Sequence, residues 1–117
     1  MALKFIFPFK TLMEHRKRLE ELAQREFAEA QAIVQKGLRE IDDMYRSIDE
    51  ARLEITRLES EGNSDNIEQI KNHHLFMSGQ AIRIERHRVK VRQDMAIAEE
   101  KQLALIEAAK EFKILEK

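Results

Sequence analysis

The sequence predicts an all-α protein, a long antiparallel two-helix coiled-coil hairpin. A 3,4 spacing of core positions repeats without interruption from Ile67 to Phe112, and a second heptad pattern runs from Ile41 to Leu58. Between them lies the strongest internal helix breaker, Ser60–Ser64. Because one helix cannot bury its own apolar stripe, the two patterned segments are expected to pack against each other.

The composition favours a narrow seam between long helices over a wide globular core. Charged residues make up 37% of the chain and hydrophobic residues 43%, with only 3 Gly and 1 Pro. Aromatic residues reach only 6% and Trp is absent, so we expect an elongated fold. The net charge of −1 gives no overall indication of nucleic acid or an anionic membrane surface.

Motifs for catalysis and cofactor binding are missing from the sequence. The absence of Cys excludes disulfides, thiolate catalysis and Cys-ligated zinc. No P-loop, nucleophile elbow or Glu-x-x-His pair occurs, and the adjacent His73 and His74 do not face one point on a helix. We therefore predict that the chain is not an enzyme and binds neither cofactor nor metal.

The sequence also lacks a transmembrane or signal segment. No apolar run approaches the ~20 residues that span a bilayer, and the N-terminal apolar stretch is too short for a signal-peptide core. We predict a cytoplasmic protein.

The N-terminal segment differs from the rest. Residues 1–10 contain the only Pro and three of the six Phe, which predicts a short extended arm. Its Phe side chains either fold back on the first helix or form a docking segment for a partner.

Capping patterns set the expected boundaries within a single domain of residues 1–117. Thr11 and Glu14 form a capping box, so the first helix is predicted over 12–61. The turn is predicted at 62–64, with Gly62 as the residue after the helix and Ser64 or Asp65 as the next N-cap. The second helix is predicted over 65–117.

The apolar pattern predicts which residues fill the seam. On the first helix the stripe should slip by one residue near Glu26, because Leu19 and Phe27 are eight apart. The core positions of the second helix are expected to be Ile67, Ile70, His74, Met77, Ala81, Ile84, Arg88, Val91, Met95, Ala98, Gln102, Leu105, Ala109 and Phe112.

An antiparallel register follows from the short turn. Placing Glu61 opposite Asp65 sets residue i near residue 126 − i, which brings His74 near Arg52 and Tyr45 near Ala81. The polar core positions His74, Arg88 and Gln102 are interpreted as residues that specify register. Gly37 is expected to leave room for the Arg88 stem.

Two sets of residues outside the seam are candidates for binding. The basic cluster Arg83–Arg92, which includes Arg83 and Arg86, is either a solvated face or a surface for an acidic partner. The second set is large and apolar, and it either forms a binding hot spot or merely widens the seam; its members are Leu38, Tyr45, Leu75, Phe76, Ile82, Val89 and Leu103.

Several segments together resemble a known family. Phe7–Leu12 followed by Arg16–Glu26 is similar to the start of FliJ, the coiled-coil component of the flagellar type III export apparatus. The Tyr45-Arg46 pair, the turn near residue 62 and the spacing from Phe76 to His87 fit as well. This resemblance covers essentially the whole chain.

The resemblance implies a hairpin similar to the central stalk of rotary ATP synthases. The end with both termini would enter the hexameric ring of the export ATPase FliI and promote its assembly and activity. The middle would contact the cytosolic domain of the export gate FlhA, export chaperones would be further partners, and membrane association would occur through partners only.

By position, the gate-facing residues implied by the resemblance are Leu38, Ile41, Tyr45, Phe76 and His87. Gln80 and Arg83 stand where the family pattern tends to be apolar. Family members usually continue beyond residues 112–117, which implies a truncated second helix lacking part of the ATPase-binding tip.

Two other functions stay open from the residues alone. A generic coiled-coil scaffold could homodimerise through Leu75, Ile82, Val89 and Leu103. Nucleic-acid binding through Arg83–Arg92 is less favoured, because no aromatic stacking set accompanies the basic residues.

Overall fold

A computed structural model describes residues 2–116, with side chains described for residues 8–114. Helix α1 spans Ala2–Ser60, a single 3₁₀ turn spans Ser64–Asn66, and helix α2 spans Ile67–Glu116. No strand occurs among the described residues. The predicted fold class, an all-α antiparallel hairpin of two coiled-coil helices, is confirmed.

The chain forms two compact units: unit 1 is Met1–Val34 with Gln93–Lys117, and unit 2 is Gln35–Arg92. In unit 1, Arg16 contacts Glu111 and Glu26 contacts Lys101. In unit 2, Glu40 contacts His87 and Ser47 contacts Gln80. Since the number on one helix falls as the number on the other rises, the helices are antiparallel within each unit.

These four contacts define the register. Each pair of residue numbers adds up to 127, one more than the predicted 126. The predicted levels were therefore wrong by one residue. The difference arises at the turn, where Glu61 contacts Asn66 rather than lying opposite Asp65.

The turn explains how α1 ends and α2 begins. Gly62 has φ +64, as predicted for the residue after a helix, and its N–H donates to the Glu59 carbonyl. The buried carbonyl of Leu58, in the last turn of α1, accepts from the Asn66 side chain at 3.2 Å. The predicted N-cap at Ser64 or Asp65 was wrong, because the Asn63 side chain accepts from the Asp65 N–H.

The predicted extended arm at residues 1–10 was also wrong, because α1 begins at Ala2 and includes Pro8. The fixed φ of proline is compatible with a helix, and a missing N–H near the helix start removes only one backbone hydrogen bond. Thr11 is consequently a helix-interior residue and not an N-cap. Phe9 is exposed, whereas the predicted packing of Phe5 and Phe7 lies outside the described side chains.

On α1 the 3,4 spacing continues in one frame through both units. The predicted slip near Glu26 was wrong, because Leu12, Leu19 and Leu22 are exposed. The frame is extended instead by polar and small residues that a hydrophobicity pattern overlooks. The positions of this frame, all of them shielded from solvent, are Met13, Arg16, Glu20, Ala23, Phe27, Ala30, Val34, Gly37, Ile41, Met44, Ile48, Ala51, Ile55 and Leu58.

On α2 half of the predicted core is correct. We call this half the apolar row, since its members recur every seven residues and are shielded from solvent: Ile70, Met77, Ile84, Val91, Ala98, Leu105 and Phe112. Of the other predicted half, Ala109 is half-buried, and the remaining six positions are one residue too late. His74, Arg88 and Gln102 are exposed, so their predicted role as core register residues was wrong.

The true second row, here the polar row, begins with the Asn66 side chain in the turn and continues along α2. Its members are Asn66, His73, Gln80, His87, Asp94 and Lys101, and each is buried or half-buried. No buried side-chain nitrogen or oxygen among the described residues lacks a hydrogen-bond partner. A buried polar group that has a hydrogen-bond partner does not incur the free-energy cost of losing its contacts with water without replacement.

Gly37 is buried in the seam of unit 2. A Cβ at this position would lie 2.7 Å from Val91 Cγ2. The space left by Gly37 is thus used by Val91, not by Arg88 as predicted.

Candidate partner-binding surfaces

The residues predicted to face the gate, together with Arg83 and Arg86, all lie in unit 2, but they do not form one surface. Residues seven apart lie on the same side of a helix, whereas the side chains of Tyr45 and Ser47, two residues apart, point about 160° away from each other around α1. Tyr45 contacts Arg88 on α2, while Ser47 lines a cleft with Phe76. The seam therefore separates a tyrosine face from a phenylalanine face.

The tyrosine face consists of Leu38, Tyr45 and Arg88. Arg88 Nη2 donates a hydrogen bond to the Tyr45 hydroxyl, and its guanidinium carbon lies 5.6 Å from the ring centroid. Arg88 Nη1 also donates to Glu85 at 2.9 Å. Cation–π attraction and these hydrogen bonds orient an aromatic ring that remains 41% exposed, and Leu38 is 43% exposed beside it along the helix.

The phenylalanine face consists of Glu40, Ser47 and Glu54 on α1 with Phe76, Arg83 and His87 on α2. Phe76, itself 40% exposed, borders an open cleft of about 490 Å³. The other residues lining this cleft are Ser47, Glu50, Ala51, Glu54, Asn72 and His73. An exposed aromatic side chain with a polar rim is typical of an interaction hot spot.

A chain of hydrogen bonds orders the middle of the phenylalanine face. Arg83 Nη1 donates to Gln80 Oε1 at 2.6 Å, and Gln80 Nε2 donates to Ser47 Oγ at 2.8 Å. The Ser47 hydroxyl in turn donates to the Met44 carbonyl at 2.7 Å. Arg83 is thereby held on the same side of α2 as Phe76, two helical turns away, and the exposed Arg86 follows one turn later.

Charges on this face are set by two local contacts. His87 Nε2 donates to Glu40 Oε2 at 2.6 Å, and this hydrogen bond lowers the pKa of the Glu40 carboxyl below its ordinary value; nearby Lys36 and Lys90 act in the same direction. At the cleft, hydrogen bonds from Arg57 lower the pKa of the Glu54 carboxyl. Both carboxyls are held in their negative form.

The remaining residues predicted to bind a partner are either partly buried in the seam or lie on the phenylalanine side of it. Ile41 is only partly exposed, because it belongs to the seam that separates the two faces. The side chain of His87 retains 27% exposure and is engaged by Glu40. Arg83 and Arg86 lie with Phe76, whereas Arg88 of the same basic cluster lies with Tyr45.

The sequence reasoning missed the acidic partners of the polar row. Glu40 and Glu54 were not singled out, although a seven-residue spacing marks them together with other residues of α1. The positions in this spacing are Glu26, Ile33, Glu40, Ser47, Glu54 and Glu61. A search for polar heptads as well as apolar ones would have found both rows.

Two kinds of site are absent from the described residues. These residues contain no group of three or more His, Cys, Asp or Glu side chains that could hold a metal ion. In the same part of the chain, neither helix has a segment long and apolar enough to cross a membrane.

Comparison with models of protein families gives a match over nearly the whole chain. Residues 5–117 match the family model described as Flagellar FliJ protein. Searches of curated proteins and of solved structures found no match.

Proposed function

Since the chain belongs to the flagellar FliJ protein family and is accordingly a component of the flagellar export apparatus, we propose that it couples the export ATPase to the export gate without catalysing a reaction itself. The observation that supports this most is the family match over nearly the whole chain. The two faces of unit 2 support it further, because each presents an aromatic side chain that the hairpin itself leaves partly exposed.

In this proposal the gate's cytosolic domain binds unit 2. Phe76 and Tyr45 supply apolar contact area, and Arg83 and Arg86 supply charge that orients the partner. Ile41 is shielded in the seam, so its proposed role is to hold the two faces in place by packing between the helices. His87 fixes the position of Glu40, so its contribution to binding is made through that carboxylate as well as directly.

Unit 1 contains the beginning of α1 and the end of α2, and it is the part proposed to engage the ATPase ring. Exposed apolar residues near the start of α1 provide contact area for such an engagement. They are Phe9, Leu12, Leu19 and Leu22. Export chaperones are proposed as further partners, and the protein would be cytoplasmic and reach the inner membrane only through its partners.

Ring assembly tests the proposed link to the ATPase. Purified cognate ATPase would be mixed with the chain, and hexamer formation and ATP hydrolysis would be followed by sedimentation and phosphate release. We expect more hexamer and faster hydrolysis with the wild-type chain, and a weaker effect with a Leu12→Gln, Leu19→Gln double variant. These leucines are exposed, so the substitutions should leave the fold intact.

A control variant, Leu53→Gln, makes the same substitution at a leucine of unit 2 that is 72% exposed. It should promote the ring as well as the wild type does. Ring assembly that is unaffected by the wild-type chain would contradict the proposed coupling to the ATPase.

A further inference from the structure

The outer side of α2 in unit 2 carries an apolar stripe that the hairpin does not use. Leu75, Ile82 and Val89 recur every seven residues and are 63%, 57% and 50% exposed; we call them the outer stripe. Leu75 precedes Met77 of the apolar row by two residues and Gln80 of the polar row by five, so the stripe lies about 140–160° around the helix from both rows. A helix that packs against a single partner helix is expected to be polar on this side. Packing within the hairpin therefore does not account for the outer stripe.

Gly79 lies beside the outer stripe, between Leu75 and Ile82, and its missing side chain is not used by the hairpin either. Beyond its own helix backbone, a Cβ at Gly79 would meet nothing within 4 Å among the described residues, whereas a Cβ at Gly37 would lie 2.7 Å from a side chain of α2. Glycine inside a helix costs about 1 kcal/mol relative to alanine. Packing against α2 offsets this cost at Gly37 but not at Gly79. Next to exposed Ser78, Gly79 allows the backbone of another helix to approach closely.

The charged residues around the outer stripe are balanced in sign. In the part of α2 that belongs to unit 2, those within about 60° of the stripe are Glu68, Lys71, Glu85, Arg86 and Arg92, all of them exposed. Exposed Asp65 of the turn makes the count three of each sign. Arg88, which donates to Glu85 at 2.9 Å, lies further round on the tyrosine face. A surface without net charge does not repel a copy of itself.

We propose that the outer stripe binds the same stripe of a second copy of this chain, with the two α2 helices antiparallel and closest at Ser78 and Gly79. Because Ser78 of one copy lies level with Gly79 of the other, residue i lies near residue 157 − i of the second copy. Leu75 of each copy then packs against Ile82 of the other. On one flank of the stripe Lys71 of each copy meets Glu85 of the other, which can accept from it as well as from its own helix.

Charge selects the antiparallel orientation. Parallel copies would place Glu68 of one chain against Glu68 of the other, in line with the stripe. Antiparallel copies bring Arg92 level with Asp65 and one turn from Glu68 of the second copy, and they form the contact between Lys71 and Glu85 twice. Complementary charge of this kind fixes the orientation of a complex more than it adds affinity.

The proposed contact is small, since each copy contributes three large apolar side chains and the surface around Gly79. Interfaces well below the area of a stable dimer are weak, so we expect a dissociation constant of about 10–500 μM. Sedimentation velocity of the full chain over a concentration series that spans this range should show an average sedimentation coefficient that rises with concentration.

A charge exchange between two chains tests the antiparallel pairing. Lys71→Glu and Glu85→Lys should each weaken self-association at least about fivefold, because each places like charges together twice. An equimolar mixture of the two variants should associate within about twofold of the wild type, since both reversed charges then meet opposite charges in a mixed dimer. Each variant changes exposed residues, so the fold should be intact.

Apolar variants locate the contact on the outer stripe. Ile82→Gln should weaken self-association at least about tenfold, whereas Leu53→Gln, at an exposed leucine of α1, should change it less than about twofold. Gly79→Ala should weaken association at least about fivefold, although in dilute solution it stabilises the single chain against urea. A general effect on folding would change both measurements in the same direction.

Three results would overturn the proposal. These are the sedimentation coefficient of a monomer throughout the concentration series, a mixture of the charge variants that associates no better than either one alone, and an equal loss of association in Ile82→Gln and Leu53→Gln. Unaltered association of Gly79→Ala would equally exclude a crossing at this residue. The contact shares only Arg86 with the proposed gate contact, and every measurement uses this chain alone, so failure here would leave the proposed function standing.

Discussion

The tyrosine face and the phenylalanine face lie on the same two helices of unit 2, yet different contacts hold them. Tyr45 is oriented by a single residue across the seam, Arg88, which also pairs with exposed Glu85. Phe76 lies instead beside the polar row, where Gln80 and His87 are hydrogen-bonded to Ser47 and Glu40. The phenylalanine face is therefore held by hydrogen bonds of half-buried residues in the seam. The orientation of Tyr45 on the tyrosine face depends instead on contacts between exposed side chains.

This difference has a consequence for recognition. A partner that contacts only the tyrosine face can reorient Tyr45 and Arg88 at small cost, because exposed charged contacts contribute little to stability. The phenylalanine face is more rigid, since three of its polar groups are fixed by contacts between the helices. We expect Phe76 to be the better-organised anchor for a partner.

The largest expected effect concerns the seam that separates the two faces. Gly37→Ala introduces a Cβ that lies 2.7 Å from Val91 Cγ2, and the β-branched valine cannot easily rotate away in a helix. Gly79→Ala introduces a Cβ with nothing within 4 Å. Both variants gain about 1 kcal/mol of helix propensity, so the difference between them isolates the overpacking, about 1–3 kcal/mol.

Urea unfolding followed by circular dichroism measures this difference. Gly79→Ala should unfold at higher urea than the wild type, and Gly37→Ala at lower urea than Gly79→Ala. Adding Val91→Ala to Gly37→Ala should reduce the clash. Equal stability of the two glycine variants would show that the helices are not this close at Gly37.

A smaller effect is expected on the phenylalanine face. Because His87 lowers the pKa of Glu40, His87→Asn should raise that pKa towards the ordinary value of 4.5. The folded-state pKa is depressed, so the stability contributed by the pair is present above the unfolded pKa and is lost as the pH falls through the folded pKa. Arg88→Gln, a change on the tyrosine face, should leave the Glu40 pKa unaltered.

Carboxyl ¹³C NMR titration of the wild type and both variants measures this pKa directly. A Glu40 carboxyl in the wild type that titrates like an ordinary glutamate would show that the contact with His87 does not persist in solution.

The hairpin itself was accessible from the sequence because its signals are local and apolar. Gly62 marks the turn through its left-handed backbone, and the apolar row of α2 repeats every seven residues. The polar row was missed because Asn66, Gln80 and Asp94 do not look like core residues, whereas their neighbours Ile67, Ala81 and Met95 do. A seven-residue polar spacing marks this row, but the partners on α1 that accept from Asn66 and Gln80, the Leu58 carbonyl and Ser47, are evident only once the two helices are paired.

The sequence did not reveal how the candidate binding residues are arranged around the hairpin. Leu38, Tyr45 and Phe76 are exposed as expected. Their division between two faces depends on the frame of α2, and a shift of one residue rotates a helical position by about 100°. With the second row in the wrong frame by one residue, the sequence did not show that the seam lies between Phe76 and Tyr45.

Gate binding compared between the two faces is the most direct test of the proposed coupling role. Isothermal titration calorimetry would measure the affinity of the gate's cytosolic domain for the wild type, Phe76→Ala, Tyr45→Ala and the control Leu53→Ala. We expect Phe76→Ala to weaken binding at least about tenfold and Tyr45→Ala by less, with helicity and melting nearly unchanged and Leu53→Ala equal to the wild type. Unchanged affinity in both aromatic variants would contradict a gate-binding role for unit 2.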